Sequence, residues 1–341
     1  MYPRLHLEPY KQLTIPGLWN DSYQNLLDWS SQSIVAVGAG AFVCYMKGGL
    51  DTPYWIDHQM NIIRADADLA NFVTSVQWNE SGGLLAAGTK DGKIQIWDPE
   101  TQQIVCERAE KNGFARCLAW NETIIGSGSD GPITLWDIRQ PPSILWKLCD
   151  QERTEANAPP AGSDSIGLKW SPDRQQLAST GLDAVVNVWD LRLQNPCCTF
   201  TEHARGHDFE TGVKALAWSP HDRGLLVTGG GLEDGNLRFW DTLAGIPLQR
   251  MDVESAICGI AWSKLSNELV TTDERDGVYQ LYSWKYPKLQ RNLVTSQPKA
   301  GRILRMAMSP DSQSIVTGDS LEKLEFWRAF PILCYDFDID E

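Results

Sequence analysis

The stretch Val73-Thr-Ser-Val-Gln-Trp78-Asn-Glu-Ser-Gly-Gly-Leu-Leu-Ala-Ala-Gly88-Thr-Lys-Asp91-Gly92-Lys-Ile-Gln-Ile-Trp97-Asp98 decides the fold. An apolar strand runs up to Trp78. A polar turn follows, then a strand of small apolar residues, Leu84 to Gly88. Asp91-Gly92 makes the next turn, since Asp-Gly accepts the positive φ of a two-residue hairpin. A third strand, Ile94-Gln-Ile-Trp97, alternates apolar and polar residues and stops at Trp-Asp.

The pattern recurs along the chain. Its third strand reappears as Ile133-Thr-Leu-Trp136-Asp137, Val186-Asn-Val-Trp189-Asp190, Leu237-Arg-Phe-Trp240-Asp241, Leu281-Tyr-Ser-Trp284-Lys285 and Leu324-Glu-Phe-Trp327-Arg328. A second series of tryptophans, Trp29, Trp78, Trp120, Trp170, Trp218 and Trp262, precedes these, with Met308 in seventh place. A degraded first copy ends at Phe42-Val-Cys-Tyr45-Met46. Asp130-Gly131, Asp234-Gly235 and Asp276-Gly277 repeat the hairpin turn. One four-stranded unit has two apolar faces and covers neither alone; units stacked around an axis cover both. The repeat therefore predicts an all-β chain, a seven-bladed β-propeller over residues 20–335. Residues 1–19 are expected to close the ring as the outer strand of the last blade, through Tyr10-Lys-Gln-Leu-Thr-Ile15, which would remove an exposed edge. Residues 336–341 read as an acidic tail.

Composition narrows the function. The net charge of −14 is unsuited to nucleic acid or an anionic membrane, both of which need clustered cations. The longest apolar run, Ile34 to Met46, is too short to span a bilayer, and Met1 to Tyr10 has no secretory apolar region. The five histidines and eight cysteines are read as reduced or structural, without metal-ligand spacing. Gly126-Ser-Gly-Ser-Asp-Gly131 runs directly into a strand, so no helix is available to receive a phosphate. No nucleophile motif is found. The chain is expected to be a binding protein of cytoplasm and nucleus, not an enzyme, with no cofactor and no metal.

The Trp-Asp repeats resemble the WD-repeat family. Gly-His, which usually opens such a repeat and supplies a histidine to the turn aspartate, occurs once, at Gly206-His207. Three stretches are more specific: Ile15-Pro-Gly-Leu18-Trp-Asn-Asp21-Ser-Tyr23-Gln-Asn25-Leu-Leu-Asp28-Trp29-Ser30-Ser31; Val213-Lys-Ala-Leu-Ala-Trp218-Ser-Pro with Val227-Thr-Gly-Gly-Gly231; and Ser283-Trp284-Lys285-Tyr286-Pro287 with Met306-Ala-Met308-Ser-Pro310-Asp311. These resemble the Fizzy/Fizzy-related coactivators of the anaphase-promoting complex, a ubiquitin ligase, and the divergence is similar to that of its Cortex branch.

The resemblance implies a substrate-recognition coactivator controlling mitotic or meiotic progression. Its partners would be anaphase-promoting complex subunits and degron-bearing substrates such as cyclins. Family members hold the arginine of an Arg-x-x-Leu destruction box between the first and last blades with two acids, here Asp28 and Glu322. A second pocket, for a Lys-Glu-Asn motif, would map onto Leu182, Ala184, Leu232 and Arg302, where three apolar residues replace hydrogen-bonding ones. The family's N-terminal docking box and C-terminal Ile-Arg have no match in this sequence. That leaves a second expectation open, a non-ligase scaffold or a degron-binding inhibitor.

Overall fold

The computed structural model describes residues 8–18, 24–47, 61–64, 71–109, 113–129, 131–140, 144–148, 165–193, 196–203, 212–294 and 299–330. Every regular element among them is a strand. The strands form seven antiparallel sheets, six in sequence order and one that joins the two ends of the described chain. The inner strands are Leu27–Trp29, Val73–Trp78, Cys117–Asn121, Ser165–Trp170, Ala215–Trp218, Ala256–Trp262 and Ile303–Met308, for blades one to seven. The first blade, degraded in sequence, is a complete four-stranded sheet.

Blade seven closes the ring. Its outer strand is Lys11–Thr14, paired antiparallel with Lys323–Trp327 in the register Gln12↔Glu325 and Leu13↔Leu324. Buried Glu325 anchors this seam: Gln12 Nε2 donates to its Oε1 at 2.6 Å, and Tyr279 of blade six donates to its Oε2 at 2.9 Å. An ionised carboxylate only accepts, so two donors on separate oxygens suit it.

The tryptophans ending the third strands are the blade cores. Trp136, Trp189, Trp240, Trp284 and Trp327 are fully buried, whereas Trp97 is half-buried. Three of them donate their indole N–H to a hydroxyl on the neighbouring second strand: Trp189 to Ser179 at 2.8 Å, Trp284 to Thr271 at 2.9 Å and Trp327 to Thr317 at 3.0 Å. The turns follow their sequence chemistry. In Asp276-Gly277 both residues take positive φ, 54° and 74°, as a type I′ hairpin requires.

Blade five extends the tryptophan–hydroxyl pair into a chain. Trp240 Nε1 donates to Thr228 Oγ1 at 2.7 Å, Thr228 lies 2.8 Å from His203 Nε2, and His203 Nδ1 lies 2.6 Å from Asp234 Oδ2. The carboxylate accepts, so Nδ1 carries the proton and Nε2 accepts from the threonine hydroxyl. Burial holds the imidazole below its usual pKa, and the hydrogen bond from His203 helps hold Asp234 below the usual carboxylate range despite its own burial. This corrects the expectation from Gly206-His207. The histidine that braces the turn aspartate is His203, while His207 lies outside the described residues. The two are four residues apart, a spacing that could suit a metal on a helix. His203 is instead committed to this chain, and no group of His, Cys, Asp and Glu able to hold a metal occurs among the described residues.

Candidate functional site

Strand alternation gives the disc two rims. The upper rim carries the turns between second and third strands and the loops entering each inner strand. The lower rim carries the turns between first and second strands. Glu322 belongs to the upper-rim turn of blade seven, between Ile315–Asp319 and Lys323–Trp327. Asp319 shapes that turn by accepting from the Leu321 and Lys323 amides, each at 2.9 Å, and Glu322 takes a φ of 61°. The N-terminal segment then docks on Glu322. The Ile15 amide donates to its carbonyl at 2.8 Å and the Gly17 amide to Oε1 at 2.9 Å. Gly17, at φ 85°, sits against the Ala39-Gly40 turn of blade one. The half-buried Glu322 carboxylate therefore stands at the seam between blades seven and one. Below it the seam is apolar, with Leu18, Leu27, Leu324 and Phe326 in one buried cluster and Trp29 edge-on to Phe326 at 5.7 Å.

Asp28 is placed differently. It lies on the inner strand of blade one opposite Ala36, two residues above the lower-rim turn that begins at Ser30. Its Oδ2 accepts from the Trp78 amide of blade two at 2.8 Å. Burial pushes its carboxyl up to about 6, against the lowering influence of that bond and of Lys169. Ala36 is four residues along its strand from Gly40, against which Gly17, the residue whose amide holds Glu322, packs. At strand rise that is a separation of about 13 Å. The two acids expected around one arginine thus occupy different levels, with Glu322 facing the seam and Asp28 facing blade two and the ring centre.

The second expected pocket falls on the upper rim. Leu182 and Ala184 belong to the second-to-third turn of blade four, Leu232 to that of blade five, and Arg302 to the loop entering blade seven. Leu232 is 47% exposed. Arg302 is held by Glu274 of blade six, Nε to Oε1 at 2.8 Å, and its amide donates to Ser320 at 2.9 Å. Ala184, however, is buried in the core shared by blades four and five and lines no surface.

Sequence reasoning named Asp28 but passed over the residues at the same repeat position in other blades, among them Lys169, whose amine senses the Asp28 charge. Asp28, Gln77 and Lys169 occupy the position directly before the inner-strand tryptophan of their blades, and comparing the repeats at that one position would have exposed them. Cys258 of blade six and Lys214 of blade five sense each other's charge, while burial pushes the thiol up to about 11 and lowers the amine.

Seven antiparallel blades closed on the chain's own N-terminal segment, with tryptophan-bearing third strands in six of them, define a WD-repeat propeller. A family model described as the CDC20/Fizzy WD40 domain matches residues 13–327. The chain belongs to the CDC20/Fizzy family. It is 40% identical over 326 residues to the B-type cell cycle switch protein ccs52B of Medicago truncatula, covering 95% of this chain and 61% of that protein. It is 38% identical over 326 residues to meiotic fizzy-related protein 1 of Schizosaccharomyces pombe, covering 94% and 70%. In the crystal structure of a mitotic checkpoint complex, one chain superposes with a TM-score of 0.82 at 31% identity, 95% of each chain being covered. The chain spans about three-fifths of the length of the plant relatives it matches. No enzyme family is indicated.

Proposed function

We propose that the chain acts in cytoplasm and nucleus as a substrate-recognition coactivator of the anaphase-promoting complex, reading Arg-x-x-Leu destruction boxes on substrates such as cyclins. Family membership supports the coactivator role. The observation that carries the degron reading is the Glu322 carboxylate at the blade seven/one seam. One of its oxygens is oriented by the Gly17 amide, and an apolar floor lies beneath it. A guanidinium there would gain directional charge-assisted bonds, and the adjacent apolar seam suits a leucine. Asp28 is the second acid of this reading. From its inward position it acts on the seam through the strand that also carries Leu27 and Trp29, not by sharing the arginine's nitrogens.

The test is an anisotropy titration of a labelled Arg-x-x-Leu peptide. Glu322→Ala is expected to weaken binding by about tenfold or more, the worth of one charge-assisted hydrogen bond. Asp28→Ala is expected to weaken it less. Equal affinity for the parent chain and both variants would discard the degron reading in favour of a scaffold. Co-purification with ligase subunits then separates a coactivator from a passive degron binder.

A further inference from the structure

The outer strand of blade four, Pro196–Phe200, carries two adjacent thiols. Neighbouring side chains on a strand normally point to opposite faces. Here the ladder pairs Val188 with Cys198 and Trp189 with Pro196, so Cys197 is the extra residue of a β-bulge. A bulge re-aims side chains, and both cysteines come to line one cavity. The same bulge in blades two, three and five holds Val105, Leu145 and Leu248. Blade four thus places a thiol where its equivalents place aliphatic groups.

The cavity has a volume of about 190 Å³ and lies on the lower rim between blades four and five, on the opposite rim from Glu322. Cys197 is exposed and Cys198 half-buried, whereas Cys44, Cys106, Cys117 and Cys258 are buried. Cys198 Sγ donates to the Thr242 carbonyl of blade five at 3.2 Å, and Gln176 Nε2 donates to Cys197 Sγ at 3.8 Å. Two arginines flank the thiols, each balanced by a carboxylate. Arg223 of blade five gives its Nε to Asp173 at 2.8 Å, and Arg192 pairs with Asp190 through Nε and Nη2. Asp241 adds an acid near Cys198. The walls therefore offer donors and acceptors together, not an excess of positive charge. A guanidinium has five N–H groups, and the bond to Asp173 uses the one on Nε. A small zwitterionic peptide carrying sulfur, with carboxylates and an ammonium of its own, matches such walls.

We propose that Cys197 is a glutathionylation site, taking up one half of glutathione disulfide as a mixed disulfide in the cavity between blades four and five, with a glutathione carboxylate accepting from the Nη groups of Arg223. The Cys197 thiolate attacks one sulfur of the disulfide. A bond forms between Cys197 Sγ and that sulfur, the glutathione S–S bond breaks, and the second glutathione leaves as a thiolate that takes up the proton Cys197 released. Cys197 is oxidised and the departing glutathione reduced. Cys198 does not resolve the adduct: burial pushes its thiol up to about 11, so it stays protonated at neutral pH. Burial also raises Cys197, but hydrogen bonds from Cys198 and Gln176 oppose the rise. A basic thiolate is a poor leaving group, so the adduct is slow to reverse.

The experiment is incubation of the full chain with glutathione disulfide at neutral pH, followed by tryptic mapping and fragmentation of the peptide 193–205, which holds both thiols. One glutathionyl group is expected on Cys197. Cys197→Ser should leave that peptide unmodified, and Cys198→Ser should leave the addition in place. Hydroxyethyl disulfide, small and uncharged, forms a parallel arm that tells recognition of the peptide from bare thiol reactivity. Arg223→Gln should slow modification by glutathione disulfide by about threefold and leave hydroxyethyl disulfide unaffected. An unmodified peptide 193–205 from the folded chain, a glutathionyl group on Cys198, or equal slowing of both reagents by Arg223→Gln overturns the proposal.

Discussion

Replacing His203 by alanine tests the reading of blade five at its most specific point. The substitution removes two hydrogen bonds, the 2.6 Å contact to Asp234 and the 2.8 Å contact to Thr228. It leaves the fully buried Asp234 carboxylate one donor short. The remaining donors, Arg238 and Asn236, both reach the other oxygen, Oδ1, at 3.0 Å. It also empties the volume of an imidazole that is 0% exposed. A charge-assisted bond is worth roughly 1.5–3 kcal/mol and a neutral one about 1, so the loss should be about 3 kcal/mol after local relaxation. The assay is urea denaturation followed by tryptophan fluorescence, which the buried Trp240 in the same chain of bonds makes a direct reporter. The reasoning is refuted if His203→Ala shifts stability by less than about 1 kcal/mol. The pH dependence adds a second reading. With the folded pKa of His203 below its unfolded value, its contribution is present above about pH 6.5 and lost as the unfolded chain takes up a proton below that. The stability gap between the parent chain and His203→Ala should therefore narrow on acidification through pH 6.

Two further outcomes follow from the ring and its interior. Gln12→Leu and Tyr279→Phe each take one donor from the buried Glu325 carboxylate; each should cost about 1–3 kcal/mol, and Gln12→Leu should also speed proteolysis within residues 8–18 by loosening the closing strand. Asp28, raised to about 6, opposes folding when ionised: a raised folded pKa stabilises below the unfolded value near 4, and that contribution is lost as pH rises through 6. Asp28→Asn should therefore gain stability relative to the parent chain between pH 4.5 and pH 7.5, and a gap independent of pH would contradict the buried, inward-facing placement.

What could be read from the chain alone was whatever depends on near neighbours. Alternating strands such as Ile94-Gln-Ile-Trp97, Asp-Gly turns and a regular recurrence of tryptophan are local chemistry, and seven copies of one unit leave little but a ring in which to bury two apolar faces each. The same locality explains why Lys11–Thr14 could be matched in advance with the last blade, since an unpaired edge needs a partner and the N-terminal strand was spare. The sites were another matter. Asp28 and Glu322 are both acids close to turns in their blades, and sequence has no way to tell that one looks inward while the other stands on the upper rim. Ala184 reads as a surface turn residue, yet its positive φ of 57° accompanies a side chain buried in the core. His203 meets Asp234 because the segment just after the outer strand of blade four brings it beside Thr228 and Trp240. Side-chain direction flips with each residue along a strand and shifts again at every bulge. Which charges meet is therefore set by register and ring closure, and these exist only once the chain has folded.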